Sequence, residues 1–314
     1  MIEIIGRNIP DAYTEGLWAM RINGREESSR GGDVFTIPEP VLLTVYHPEE
    51  RMLFNSVRDA NPFFHIMEFV WMMAGSNDAE WISMFNKRMM EYADDGNLRG
   101  AYGWRWRQPH DQIQRAIKLL RNDPGSRQAV LSMWDPTYDG PEAQSSDRPC
   151  NTHIYFRVVN QRLDMTVCNR SNDLIWGMMG ANAVHMTMLQ ELVARATGYE
   201  IGKYRVFTNN LHIYKNMPRF EEIYRDQVKD YTYQDTLVQP IPLLSVGETY
   251  EDFVGDCKSL VEDQFPLGFR TEWMNRVGKR VYNAYLFKGS RVDELKSMDQ
   301  CDVRLACEMW NNRR

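Results

Sequence analysis

Residues 148–177 read RPCNTHIYFRVVNQRLDMTVCNRSNDLIWG. Two alternations of period two, THIYFRVV (152–159) and RLDMTVCNR (162–170), flank Asn160-Gln161. That pattern predicts two antiparallel strands joined by a tight turn. Cys150 opens the hairpin behind a proline, and Arg170 ends the adjacent strand, so the two can face each other. A cysteine acts as a nucleophile through its thiolate, which needs positive charge or a dipole close by. Cys168, mid-strand and without polar company, reads as a core residue. Where the second strand ends, NRSNDLIWG (169–177) is dense in polar groups. Arg170 and Ser171 suit a phosphate, one bidentate and one through its hydroxyl. Asp173 is an acceptor-only carboxylate suited to an N–H-rich ring.

Outward from the hairpin, strands and helices intermix. DVFTIPEPVLLTVY (33–46) is strand material broken by two prolines, QAVLSMW (128–134) is a strand, and KYRVFTNNLHIY (203–214) is another. NPFFHIMEFVWMMA (61–74) has helical spacing behind an Asn-Pro start and stops at Gly75-Ser76. DQIQRAIKLLR (111–121) is an amphipathic helix that Asp111 can cap. GANAVHMTMLQELVARATG (180–198) is an apolar helix fit for burial between a sheet and another layer. No linker rich in Gly, Ser or Pro divides the 314 residues, so a single α+β domain, 1–314, is expected.

Composition narrows the function classes. The net charge of −6, without blocks of like charge, argues against a dedicated nucleic-acid surface but not against a small anionic substrate. Five cysteines, an odd number without CxxC spacing, favour neither a disulfide framework nor a metal centre, and a reducing cytoplasm is the simplest setting. No apolar run approaches the ~18 residues of a membrane span. MIEIIGRNIPDAY, at the start, lacks the marks of a secretory signal.

Three further residues are candidates on their own chemistry. His212 and Tyr214 stand two apart on a strand and so share a face. Glu68 is a carboxylate in an apolar helix, where burial would raise its pKa and make it a general acid or base. A cysteine hydrolase would need a histidine oriented on Cys150, and nothing ties His153 or His185 to it.

With these residues in view the chain resembles the thymidylate synthase family. RPCN is similar to its nucleophile motif, NRSNDLIWG to its phosphate and folate motif, and NNLHIY (209–214) to its nucleotide motif. HIMEFVWMMAGSND resembles the helix that carries its catalytic glutamate, GAYGWRWR its Tyr-Gly-x-x-Trp-Arg segment, and LRNDPGSRQAVLSMW the stretch whose arginines cross a dimer. The blocks keep the family's order over roughly residues 28–216, whereas residues 218–314 match poorly. That portion holds Trp273, Trp310 and apolar stretches and is expected to be folded.

The resemblance implies a mixed sheet packed with helices, and a homodimer formed sheet to sheet. It implies that Cys150 adds to C6 of a pyrimidine deoxynucleotide monophosphate and makes C5 a nucleophile toward 5,10-methylenetetrahydrofolate. Arg170, Ser171, Arg30 and Arg127 would bind the phosphate, with Arg127 donated by the second subunit. Asn182 would hold the base edge, and His212 and Tyr214 the sugar hydroxyl. Asp173 and Gly177 would meet the folate, beside a wall formed by Met89 and Tyr92. Glu68 and Tyr102 would organise water for proton transfers. Asn182 lies five residues after Gly177, which a one-residue insertion in 178–181 explains. An amide suits the O4/N3 edge of uracil, whereas relatives acting on cytosine are expected to carry Asp there.

Four departures bear on the product. The family's histidine after the nucleophile is Asn151, the second dimer-crossing arginine is Gln128, the folate-wall tryptophans are replaced near Met89 and Tyr92, and the chain ends in the polar CEMWNNRR. Once folate has left, C5 carries an electrophilic exocyclic methylene. Hydride would make a methyl group, and admitted water a hydroxymethyl group. The departures favour water, and so a deoxyuridylate 5-hydroxymethylase of the kind that makes precursors for phage DNA modification. Thymidylate synthase itself, a deoxycytidylate hydroxymethylase and a non-catalytic nucleotide-binding relative are the alternatives.

Overall fold

The computed structural model describes residues 1–141, 145 and 147–314. Ten strands form two sheets: β1 (Ile2–Gly6), β2 (Arg25–Ser29), β3 (Gly32–Ile37), β4 (Val41–Val45), β5 (Val130–Ser132), β6 (Asn151–Val159), β7 (Arg162–Asn169), β8 (Asn172–Asp173), β9 (Glu200–Thr208) and β10 (Leu211–Tyr214). The larger sheet runs β1-β4-β9-β7-β6-β5, and the smaller runs β2-β3-β10-β8. Both are mixed: β7 pairs in parallel with β9 but antiparallel with β6, and β10 is parallel to β8 but antiparallel to β3. This is the α+β architecture the sequence led one to expect.

The β6–β7 hairpin forms as its pattern dictates. Asn160 and Gln161 both adopt positive φ, 50° and 62°, the handedness that matches the twist of the flanking strands. On β7 the alternation is strict: Leu163, Met165 and Val167 are buried against helices. Cys168 is therefore turned to the opposite face of the sheet and is only half-buried, which corrects its reading as core.

Two strands are shorter than expected. The 128–134 strand contracts to β5, hemmed by a turn at Gln128 and by the Asp135 cap of the next helix. The stretch 203–214 is not one strand. It breaks at Asn209-Asn210, where the Asn209 N–H donates to Asn169 O (3.0 Å) and the Asn210 carbonyl accepts from Asn172 N–H (2.8 Å). Asparagine favours such breaks because its side chain competes for backbone hydrogen bonds; here Asn210 reaches Thr36 and His212. The chain changes sheet here, and does so again between β7 and β8 and between β3 and β4. These three crossings form a seam between the sheets, and Arg170, Ser171 and Asp173 lie on it.

The helix Ala181–Thr197 is buried nearly all round, between β7–β9 and the helix Pro62–Ala74. Its Gln190 amide donates to the carbonyls of Leu163 (2.9 Å), Gly202 and Lys203 (3.2 Å each), beside the irregular β7–β9 register. Its Glu191 accepts from Arg51 (2.6 Å), Arg195 (2.7 Å) and the Leu243 N–H (3.1 Å). The Pro62–Ala74 helix starts on an Asn61 cap and stops at Gly75, whose φ of 73° is a left-handed cap. Residues beyond 218 pack on this helix: Phe253 lies 6.1 Å from Phe69, and Trp310 meets Phe63 edge-on at 5.5 Å. Arg313 and Arg314 pair with Asp59 at 3.0 and 2.7 Å. Among the described residues no helix is long and apolar enough to cross a membrane.

Candidate active site

The start of β6 and the end of β7 place Cys150 beside Arg170. The Cys150 carbonyl accepts from the Arg170 N–H (3.0 Å), and Cys150 Sγ lies 3.9 Å from Arg170 Nη2. The guanidinium is fixed: its Nε donates to Pro149 O (3.0 Å), its Nη2 to Arg148 O (3.1 Å), and it lies 5.6 Å from the ring centre of Trp134. Arg170 pulls the thiol toward ionisation, but burial outweighs it and the Cys150 pKa is raised.

A cavity of about 190 Å³ opens beside Cys150, and its walls include Glu68, Met89, Tyr92, Tyr102 and Asn182. Six of the expected site residues thus converge from five separate stretches of chain. Burial pushes Glu68 up to about 8. Its Oε2 lies 3.3 Å from His185 Nε2, yet this is no ion pair. Burial drops His185 to about 3, and its Nε2–H is directed at the His65 carbonyl (3.1 Å). A neutral carboxyl beside a neutral imidazole leaves Glu68 Oε2 without a hydrogen-bond partner. The Tyr102 hydroxyl is buried with its pKa raised, and the Asn151 backbone N–H faces it.

Asn182 stands in the first turn of its helix, opposite Gly177. A Cβ on Gly177 would come within 2.2 Å of Asn172 Oδ1 and 3.3 Å of Asn182 Nδ2, so only glycine fits. The preceding turn is wide: the Met179 N–H reaches back five residues to Leu174 O (2.9 Å), taking up one residue more than an α-turn. Asp173 caps this turn, its Oδ1 accepting from the N–H groups of Ile175 (2.7 Å) and Trp176 (2.6 Å). Its buried Oδ2 has no partner, and burial raises its pKa.

Asp173 is also in register with His212 across β8 and β10. His212 shares a hydrogen bond with Asn210 Oδ1 through Nδ1 (2.9 Å), which leaves Nε2 as the free acceptor. Tyr214 lies on the same face, its ring edge-on to His212 at 5.0 Å. The β2–β3 turn with Arg30 rests on Tyr214: a Cβ on Gly31 would be 2.8 Å from that ring. Ser171 is half-buried beside Arg170. Arg127 is exposed before β5. It is absent from the cavity wall, as are Arg30, Arg170, Ser171, Asp173, Gly177, His212 and Tyr214.

Several neighbours were not singled out from sequence. Asp147 accepts the Gly100 N–H (2.8 Å) and joins the cavity to a wider groove of about 1480 Å³. Trp134 and His185 flank Arg170 and Glu68. Arg58, buried and donating to Ile175 O (2.7 Å), lies 5.4 Å from the ring centre of the exposed Trp176. Only tertiary contacts reveal these four.

The family model for thymidylate synthase matches residues 23–239. A deoxyuridylate hydroxymethyltransferase of Pseudomonas phage M6 is 40% identical over 98% of this chain and 93% of its own length. Proteins of the same name are 36% identical in Bacillus phage SP01, over 56% of this chain and 49% of that protein, and 35% identical in Delftia phage PhiW-14, over 70% and 62%.

Proposed function

The chain belongs to the thymidylate synthase family, and from that premise we propose that it is a deoxyuridylate 5-hydroxymethylase. It converts dUMP, 5,10-methylenetetrahydrofolate and water to 5-hydroxymethyl-dUMP and tetrahydrofolate. One observation carries the reading: Cys150, Glu68, Tyr102 and Asn182 line one cavity in a chain 40% identical, nearly end to end, to a deoxyuridylate hydroxymethyltransferase.

Each residue has a task that its surroundings suit. Cys150 adds to C6. The thiol must first lose its proton, and the charge of Arg170 beside Sγ lowers that cost. Arg170, Ser171 and Arg30 bind the phosphate. Asn182 offers donor and acceptor to the uracil edge, and His212 Nε2 with Tyr214 meets the sugar hydroxyl. Glu68, poised near 8, exchanges protons at neutral pH through Tyr102 and water. The folate co-substrate supplies the one-carbon unit. The residues suit it: the unpartnered Asp173 Oδ2 calls for an N–H donor, Gly177 lies against Asn182, and Met89 and Tyr92 border the cavity. Met89 and Tyr92 make this wall half-open, which favours water over hydride at the exocyclic methylene.

We take residues 1–314 as one catalytic domain whose portion 218–314 braces the Glu68 helix. We take the enzyme to be a homodimer. The face of the large sheet turned from the helices carries Tyr155, 44% exposed, and half-buried Cys168. Arg127, exposed before β5, then serves the cavity of the partner. Incubation with dUMP and methylenetetrahydrofolate tests the function. Tetrahydrofolate with a hydroxymethyl product is expected, whereas dihydrofolate with dTMP, or turnover of dCMP alone, would overturn it.

A further inference from the structure

Asn151 directly follows Cys150, and Asn169 directly precedes Arg170. Asn151 and Asn169 face each other across β6 and β7, and Asn169 faces Thr208 across β7 and β9. The three form a polar row at the seam, with 1%, 3% and 0% of their surface exposed. The Asn169 amide donates to Asn151 Oδ1. That single bond leaves Asn151 Nδ2, Asn169 Oδ1 and Thr208 Oγ1 buried with no partner. Exchanging N and O in both amides would again leave one amide nitrogen and one amide oxygen over. Buried polar groups of this kind are satisfied by water, which needs two to four polar partners. A donor, an acceptor and a hydroxyl side by side are such a set.

The row is tied to the reacting atoms. Cys150 and Asn151 are consecutive, as are Asn169 and Arg170, and the Asn151 N–H faces the Tyr102 hydroxyl. We propose that Asn151, Asn169 and Thr208 are positioning residues that hold the water used in the hydration step. The proposal rests on the hydroxymethylase reading above. In that step the water oxygen bonds to the exocyclic methylene carbon, and the alkene electron pair moves through C5 into the C4 carbonyl. As the pair returns, C5=C6 forms and the C6–S bond breaks. Cys150 leaves as a thiolate, and the proton lost by water neutralises it. No oxidant or reductant takes part.

The test separates hydration from the steps before it. Tritium released from [5-³H]dUMP reports loss of the C5 proton, and chromatography reports 5-hydroxymethyl-dUMP. Both are followed in single turnovers with methylenetetrahydrofolate, with 2-mercaptoethanol present to capture unhydrated methylene as a thioether. The parent enzyme should give one hydroxymethyl product per tritium released. Asn169→Leu and Thr208→Val, the latter isosteric, should still release tritium. Losing one positioning hydrogen bond should lower product per tritium by about fivefold, the balance appearing as thioether. If Asn169→Leu does not fold, Thr208→Val decides alone. A ratio that stays at one in every folded variant, or tritium and product that fall together, overturns the proposal. A parent enzyme that releases tritium but makes dTMP overturns the underlying reading instead.

Discussion

Replacing Gly103 by alanine should part the two helices that carry Tyr102 and Glu68. Gly103 follows Tyr102 and presses on the end of the Pro62–Ala74 helix. A Cβ there would stand 2.1 Å from Met72 O and 2.3 Å from Met72 Cα. Both are backbone atoms in a buried helix, so neither can turn aside. Restoring ordinary contact needs a retreat of about 1 Å by one helix. Overpacking of this kind costs about 1–3 kcal/mol. At roughly 2–4 °C per kcal/mol for chains of 150–250 residues, and somewhat less for a longer one, Tm should fall by several degrees. Catalysis should suffer more, because a misplacement of about 1 Å can cost on the order of 10²-fold. Scanning calorimetry and tritium release from [5-³H]dUMP measure the two effects. Gly289→Ala, with nothing within 4 Å, is the control and should change neither. A Gly103→Ala enzyme with the parent's Tm and rate would show that contact between these helices does not set the site.

Glu68→Gln should abolish C5 proton exchange yet stabilise the fold at high pH. The Glu68 pKa rises on folding from its ordinary 4.5 to about 8, so its contribution to stability is full below 4.5 and lost as pH climbs to 8. The variant's Tm should exceed the parent's at pH 8 and match it at pH 4; equal pH dependence of both would refute the assignment. Glu191→Ala strands Arg51 and unpairs the Leu243 N–H, and should cost about 3–5 kcal/mol in denaturant unfolding. A loss under about 1 kcal/mol would mean that the pair adds little. Arg127→Ala and Cys150→Ser, each inactive alone, should regain about a quarter of parental activity when unfolded and refolded together, since hybrid dimers carry one intact site. No recovery would remove Arg127 from the partner's cavity.

Much of this was written in the chain. The helix around Glu68 announces both ends, through Asn61-Pro62 and Gly75, and the hairpin announces its turn. Cys150 and Arg170 meet because period-two strands joined by two residues leave little choice of register. The side taken by Cys168 was legible too, in its odd step from Leu163, Met165 and Val167, but cysteine's usual burial hid it. The break at Asn209-Asn210 was harder, because β-rich sequence runs through it and only the presence of two sheets demands a change of partner. The amide row, the His185–Glu68 contact and the Arg58–Trp176 stack join residues up to about 120 positions apart. No local pattern encodes such pairs; they follow from how the seam and the buried helix dock.

The packing of residues beyond 218 on the Glu68 helix has a consequence for synthesis. Every residue assigned here to nucleotide or folate has left the ribosome by Tyr214, but the other flank of that helix waits for Phe253 and Trp310. At 5–20 residues per second, the last 100 or so residues take roughly 5–20 s to emerge. Through that interval a nascent chain holds a full set of catalytic groups around an unbraced helix. Its reactive thiol is then assembled into a working centre among the last acts of folding.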